Sequence, residues 1–160
     1  MTYQKKTWQE KMANKPTMPK VLKLKKKFPC YNMMAKAGCK VGDKIILVNP
    51  KEVLAIMKKV PKGKLITIYE ICQKIAKKHK VKGSCSLTNG IFVMQAANAA
   101  VETKSKLAYW RTLKADGYCN PKYPGGEASQ AKLLRKEGHK IEKRGKHYRV
   151  KDFEKKLVKV

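Results

Sequence analysis

Long hydrophobic runs are missing from this chain. None of its apolar stretches approaches the ~18 residues that a bilayer span needs, although 42% of its 160 residues are hydrophobic. Met1 to Glu10 is polar and carries no signal-peptide core, so an intracellular, cytoplasmic protein is expected, nucleoid-associated if the source is prokaryotic. Cysteine is present but unorganised. Cys30, Cys39, Cys72, Cys85 and Cys119 form no C-x-x-C pair and meet His79, His139 and His147 at no zinc-ligand spacing. Free thiols are expected, with no metal and no small-molecule cofactor. Acid is scarce as well, 11 Asp and Glu against 39 Lys and Arg for a formal charge of +28. Such an imbalance calls for a polyanion or a highly solvated surface, and a lysine-biased proteome would produce part of it. Arginine is scarcer than the charge suggests, occurring at Arg111, Arg135, Arg144 and Arg149 alone. Lysine acts as a point charge and not as a bidentate reader of guanine. Phosphate contact is thus better supported than base-specific readout.

What is there divides into three stretches. Residues 1–48 hold twelve Lys against Glu10 and Asp43. Pro16, Pro19 and Pro29 interrupt any long element, so the reading is an irregular or partly disordered basic region, a docking arm or a tail. Asn49-Pro50 supplies a cap and a first-turn proline, and Val53, Leu54, Met57 and Val60 give the spacing of an amphipathic helix. Thr67-Ile-Tyr-Glu70 is a capping-box pattern opening a helix to about Lys78. After a turn containing Gly83, an alanine-rich helix opens at Thr88-Asn89 and runs through Val101. A Gly-rich excursion over Tyr118–Gly126 reads as a wing, and Glu127–Lys136 as a helix stopped by Gly138. The end of the chain, 139–160, reads as a β-hairpin turning at Gly145 followed by a short helix over Asp152–Val158. The fold class expected is mainly α with small β elements, a winged helix-turn-helix over 49–138 with a C-terminal hairpin.

Three motifs in order carry a resemblance. Val60-Pro-Lys-Gly-Lys-Leu-Ile-Thr67, then Arg111-Thr-Leu-Lys-Ala-Asp-Gly117, then Tyr123-Pro-Gly-Gly126 with Lys132-Leu-Leu-Arg-Lys-Glu-Gly138, resemble segments of the methylated-DNA protein-cysteine methyltransferases and their alkyltransferase-like relatives. The resemblance implies a duplex-DNA-binding domain, with contacts drawn from Thr67, Tyr69, Thr88, Asn89, Ile91, Phe92, Gln95 and Lys114. It also implies a base pocket whose candidates are Tyr109, Trp110, Arg111, Tyr123 and Glu137.

The departures decide the chemistry. That family's reactive Pro-Cys-His-Arg is matched here by Ala108, Tyr109, Trp110 and Arg111. A phenol of ordinary pKa is a poor nucleophile for a guanine alkyl carbon, and an indole cannot act as a base. Alkyltransferase-like relatives replace the cysteine by tryptophan and bind without repairing, and Trp110 lies one position from that pattern. Tyr109, Trp110 and Tyr123 stack on an extruded base in one reading and pack a loop onto the core in the other. Glu137 matches the carboxylate that would orient the histidine. Lacking that imidazole, it reads as a surface residue at a helix end. The family's intercalating arginine falls on Ile91 or Phe92, and its tyrosine falls on Ile68 beside Tyr69.

The leading expectation is therefore a non-catalytic DNA-binding protein of the alkyltransferase-like type, sensing alkylated guanine and handing it to a repair-pathway partner. Two alternatives stand beside it. One is a general basic coat for nucleic acid without lesion preference, and the other a methyltransferase with a displaced nucleophile, for which Cys119 is the nearest thiol.

Overall fold

A computed structural model describes residues 5–13 and 16–159. Six helices dominate, with small sheets between them: α1 (Trp8–Lys11), α2 (Tyr31–Lys36), α3 (Pro50–Lys58), α4 (Ile68–Lys78), α5 (Ser86–Glu102) and α6 (Gly126–Lys136). The strands are β1 (Lys20–Lys23), β2 (Lys44–Leu47), β3 (Ile66–Thr67), β4 (Gly83–Ser84), β5 (Thr112–Leu113), β6 (Ile141–Arg144) and β7 (His147–Val150).

The alanine-rich α5 is the centre. Its Phe92, Val93, Ala96, Ala97 and Ala100 are buried, and small side chains at those places let α1, α3 and α4 pack closely around it. The main core adds Val53, Ile56 and Met57 from α3 and Ile71 and Ile75 from α4; the sequence spacing over α3 marks Val53 and Met57 but gives Leu54, which is partly buried, in place of Ile56. A second cluster lies under α6, where Ala131 and Leu134 meet Leu65, Leu113, Cys119, Val150 and Phe153.

Three small sheets position these helices. β3 and β5 pair in parallel, Ile66 opposite Thr112 and Thr67 opposite Leu113, so the start of α4 is fixed to the chain that follows Arg111. β6 and β7 form the expected antiparallel hairpin, Arg144 opposite His147. Gly145 sits at φ +61° in its two-residue turn, a conformation for which glycine has no Cβ penalty.

Several details correct the sequence reading. The stretch before residue 48 is not irregular in the described residues: it holds α1, β1, α2 and β2. β1 pairs antiparallel with β2, and β2 pairs in parallel with β4 (Ile45 opposite Gly83). The prolines fall between these elements and not inside them, so they bound rather than prevent structure. Leu24, Cys30, Met34, Cys39 and Ile45 build a third cluster with Cys85, the residue that caps α5. Packing there is tight at position 83, where a Cβ would lie 2.6 Å from Met34 Cε and 2.9 Å from Cys39 Sγ, so that these side chains would have to shift. Met12 of the first turn enters the main core, and the amides of Trp8 and Gln9 donate to the Glu102 carboxylate at the far end of α5. The capping box forms at Thr7–Glu10. At Thr67–Glu70 the Thr hydroxyl instead donates to the Glu carboxylate. α5 opens at Ser86, two residues before Thr88, and the closing helix is a 3-10 turn over Phe153–Lys156.

The N-terminal packing predicts a measurable effect. Leu24 is fully buried, so Leu24→Ala is expected to cost about 2–5 kcal/mol through lost contacts and the cavity left behind. Urea unfolding followed by circular dichroism reads it. An unchanged midpoint would mean that β1 and α2 are not part of the cooperative fold.

Candidate nucleic-acid interface

The positions that match the reactive motif form a 3-10 turn, Tyr109–Arg111, directly before β5. Arg111 fixes it from two sides. Its Nε donates to both Glu137 carboxylate oxygens at 3.1 Å, its Nη2 to Oε1 at 2.6 Å and its Nη1 to the Val60 carbonyl at 2.8 Å. The planar guanidinium fork suits this bidentate geometry, which an ammonium cannot reproduce. Glu137 is therefore not a free surface residue: its side chain is 7% exposed. Burial raises its carboxyl, but the hydrogen bonds and charge of Arg111, with Trp110 and His139 adding to them, hold it below the ordinary carboxylate value. Gln130 braces the same turn from α6, donating to the Trp110 and Thr112 carbonyls and accepting from the Asn120 amide at 2.7 Å.

The aromatic trio is packing. Tyr109 meets Trp110 edge to face at 5.4 Å between centroids and Tyr123 likewise at 5.5 Å. The Tyr109 and Tyr123 rings lie in the main core, and the Tyr123 hydroxyl donates to the Thr112 carbonyl at 2.8 Å. Trp110, half-buried, packs on both the main core and the cluster under α6. These rings leave no opening between them for a stacked base, so the pocket reading of the trio is replaced by the core reading. Burial raises both phenols above their ordinary pKa, Tyr123 well above it, which weakens Tyr109 further as a nucleophile. The thiols are equally withdrawn. All five are buried, and desolvation pushes Cys119 up to about 12 and Cys30 and Cys72 up to about 11.

Open space lies elsewhere, in a half-open groove of about 620 Å³ along α4 and α5. Its apolar side chains include Tyr69, Leu87, Ile91 and Met33, each 41–49% exposed. Lys36, Lys82, Lys114 and Lys122 line it too, with Asp116 as its acidic residue. Exposed apolar patches bordered by charge mark binding surfaces more often than chance solvent contact.

The predicted contact residues divide accordingly. Tyr69, Ile91 and Lys114 line the groove. Phe92 is in the core, which settles the one-residue ambiguity in favour of Ile91 as the outward side chain. Thr67 is fully buried and Asn89 is engaged internally, donating to Ser84 Oγ at 2.8 Å and to Cys72 Sγ at 3.2 Å. These three are corrected from DNA contacts to structural residues. Thr88 is half-buried, its hydroxyl donating to Cys85 Sγ at 3.3 Å, and Gln95 is half-buried on α5. Leu87 and Met94 were overlooked although the spacing 87, 91, 94 puts them on the Ile91 face of a helix. Met33 and Lys36 had no such signal, since only the tertiary fold brings α2 beside α4.

No protein-family model matches the sequence, and no curated protein does. The fold is similar to that of two solved alkyltransferase-like structures. They are S. pombe Atl1 in complex with damaged DNA containing O6-carboxymethylguanine, and S. pombe ATL in complex with DNA. Each shows 16% identity and a TM-score of 0.53, covering 69% of this chain and 94% of the other.

The Arg111–Glu137 pair makes a prediction with a pH signature. Removing one partner of a buried ion pair strands the other charge, so Arg111→Met should cost about 3–5 kcal/mol. Glu137 has a lowered folded-state pKa, so its stabilisation is complete above the ordinary carboxylate range and is lost as pH falls through the folded value. Glu137→Gln should therefore lower stability at neutral pH and flatten the acid limb of a stability-versus-pH curve. An acid limb identical to that of the unsubstituted protein would contradict this account.

Proposed function

We propose that the protein is a non-catalytic DNA-binding protein of the alkyltransferase-like type, acting in recognition of damaged DNA. The observation that carries the reading is the conjunction of an alkyltransferase-like fold with an exposed Tyr69–Ile91 face on α4 and α5 flanked by lysines. α4 and α5 serve as the helix-turn-helix pair, with the connection over 114–126 as its wing. Lysines hold duplex phosphates. Ile91 acts as an apolar wedge in place of an arginine, the way architectural proteins unstack bases in a minor groove. A modified guanine is received in the groove, whose volume falls in the ~300–1,000 Å³ range of small-ligand sites. The Tyr109–Trp110–Tyr123 cluster is too closely packed to take it. With no covalent repair step, a bound lesion passes to a repair-pathway partner.

The burial of all five thiols favours binding over alkyl transfer, since the thiolate is the nucleophile in that chemistry and burial disfavours it. A general nucleic-acid coat remains the competing reading because the charge excess alone supports it.

Two measurements separate these. Fluorescence anisotropy with plain and O6-alkylguanine duplexes should show binding to both, tighter to the modified one, with a salt slope of about −0.9 per phosphate engaged. Tyr69→Ala and Ile91→Asp should remove the difference between the duplexes while leaving thermal stability nearly unchanged, because both side chains are exposed. Equal affinity for the two duplexes would leave the general coat. Intact-mass measurement after incubation with alkylated DNA should show no added alkyl mass, and a gain on any cysteine would overturn the non-catalytic reading.

A further inference from the structure

The groove has a wall that the α4–α5 pair does not supply. Met33 and Lys36 come from α2, near the start of the chain, and line the same space as Tyr69 and Ile91. α2 is held there by independent contacts. Met34 is 2% exposed in the cluster that contains the α5 cap Cys85, and the backbone of β4 approaches it so closely that a Cβ at Gly83 would lie 2.6 Å from its Cε. The β2–β4 pairing fixes the rest of the N-terminal unit to the turn between α4 and α5. Its orientation toward α5 is thus set by the core and not by a flexible tether.

The chemistry of this wall is apolar and cationic. Met33 is 49% exposed, and Lys36 is exposed beside it. Among the described residues none of Lys36, Lys82, Lys114 and Lys122 forms an ion pair. Asp43, the acid nearest to α2 in sequence, has its carboxylate accepting from the Lys40 amide at 2.7 Å and does not line the groove. Lys36 comes from α2, and Lys82 directly precedes β4, the strand that pairs with β2. Lys114 and Lys122 come from the connection between β5 and α6. A ligand resting on Ile91 therefore meets positive charge from two separate parts of the chain.

We propose that α2 is a DNA-contacting element in its own right, Lys36 engaging a backbone phosphate and Met33 resting against the sugar face, so that the duplex footprint extends onto the N-terminal segment. This rests on the reading of the groove as a duplex-DNA site. Charge complementarity selects the occupant: four unpaired lysines around an apolar floor, with one acid among the lining residues, match a polyanion with stacked apolar bases.

The test uses the full chain and a plain duplex in fluorescence anisotropy across a salt series. Lys36→Ala should reduce the salt slope by about one phosphate equivalent. The double variant Met33→Asp with Lys36→Glu should weaken binding about ten-fold or more at low salt. Val101→Asp, equally exposed on α5 but away from the groove, should bind as the unsubstituted chain does, and circular dichroism confirms that each variant is folded. If the α2 variants bind normally while Lys114→Glu is weakened, the groove is a DNA site without α2 and the inference is overturned. Tighter binding by the double variant would overturn it too, since α2 would then obstruct the site. If the unsubstituted chain binds no duplex at low salt, the reading of the groove and this inference fall together.

Discussion

A guanidinium held between a carboxylate and a backbone carbonyl ties three parts of the fold together. Arg111 connects the 3-10 turn before β5 to the end of α6 through Glu137 and to the end of α3 through the Val60 carbonyl. Trp110, its neighbour, packs on both the main core and the cluster under α6. Those two clusters would otherwise meet across a short parallel pairing of β3 with β5. Burying an ion pair does not by itself favour folding over a well-packed apolar pair. Its value here is directional, because a bidentate fork accepts one orientation of the turn and rejects others.

The same division of labour runs through the charged residues. Arg149 is engaged by the Asp116 carbonyl, Glu142 and Glu154, and Arg144 by Glu142. Most acids also bond internally: Glu10 and Asp43 to backbone amides, Glu52 to His79 and Lys78, Glu102 to α1, Glu127 to His147. Arg111, Arg144, Arg149 and most acids thus bond within the fold, while most lysines are left to the solvent. The net charge of +28 is in consequence largely a surface property, and a surface of point charges attracts phosphate without reading bases. Any discrimination has to come from the apolar floor of the groove.

Local signals in the sequence located α3, α4, α6 and the β6–β7 hairpin, because each has its own periodicity and stop residues. The same rules failed for residues 16–48. Strands of four residues give too few alternations to register, and prolines that bound elements look identical to prolines that break them. The site divides as well. Tyr69, Ile91 and Lys114 were named through the resemblance, and the structure puts all three on the groove. The packing of Tyr109 and Tyr123 was not legible, since an aromatic trio reads the same whether it lines a cavity or fills one. Thr67 and Asn89 misled for a related reason: polar residues at helix starts serve caps and internal hydrogen bonds as readily as ligands.

Where the resembling family carries a Cys-His pair, this chain places Tyr109 and Trp110 next to the Arg111–Glu137 pair. A carboxylate beside an imidazole tunes a base, and the base in turn activates a thiol. Here the histidine position holds an indole, which takes up no proton in the physiological range, and the carboxylate is saturated by a guanidinium that stays charged at any relevant pH. The hydrogen-bonding partner of Glu137 is consequently a group that does not titrate. The cysteine position holds a buried phenol whose burial favours the neutral form. Tyr109, Trp110 and Glu137 thus form no thiol–imidazole–carboxylate relay of that kind. What the turn retains is its mechanical function, fixing β5 and the connection after it so that Lys114 and Lys122 stand beside α5.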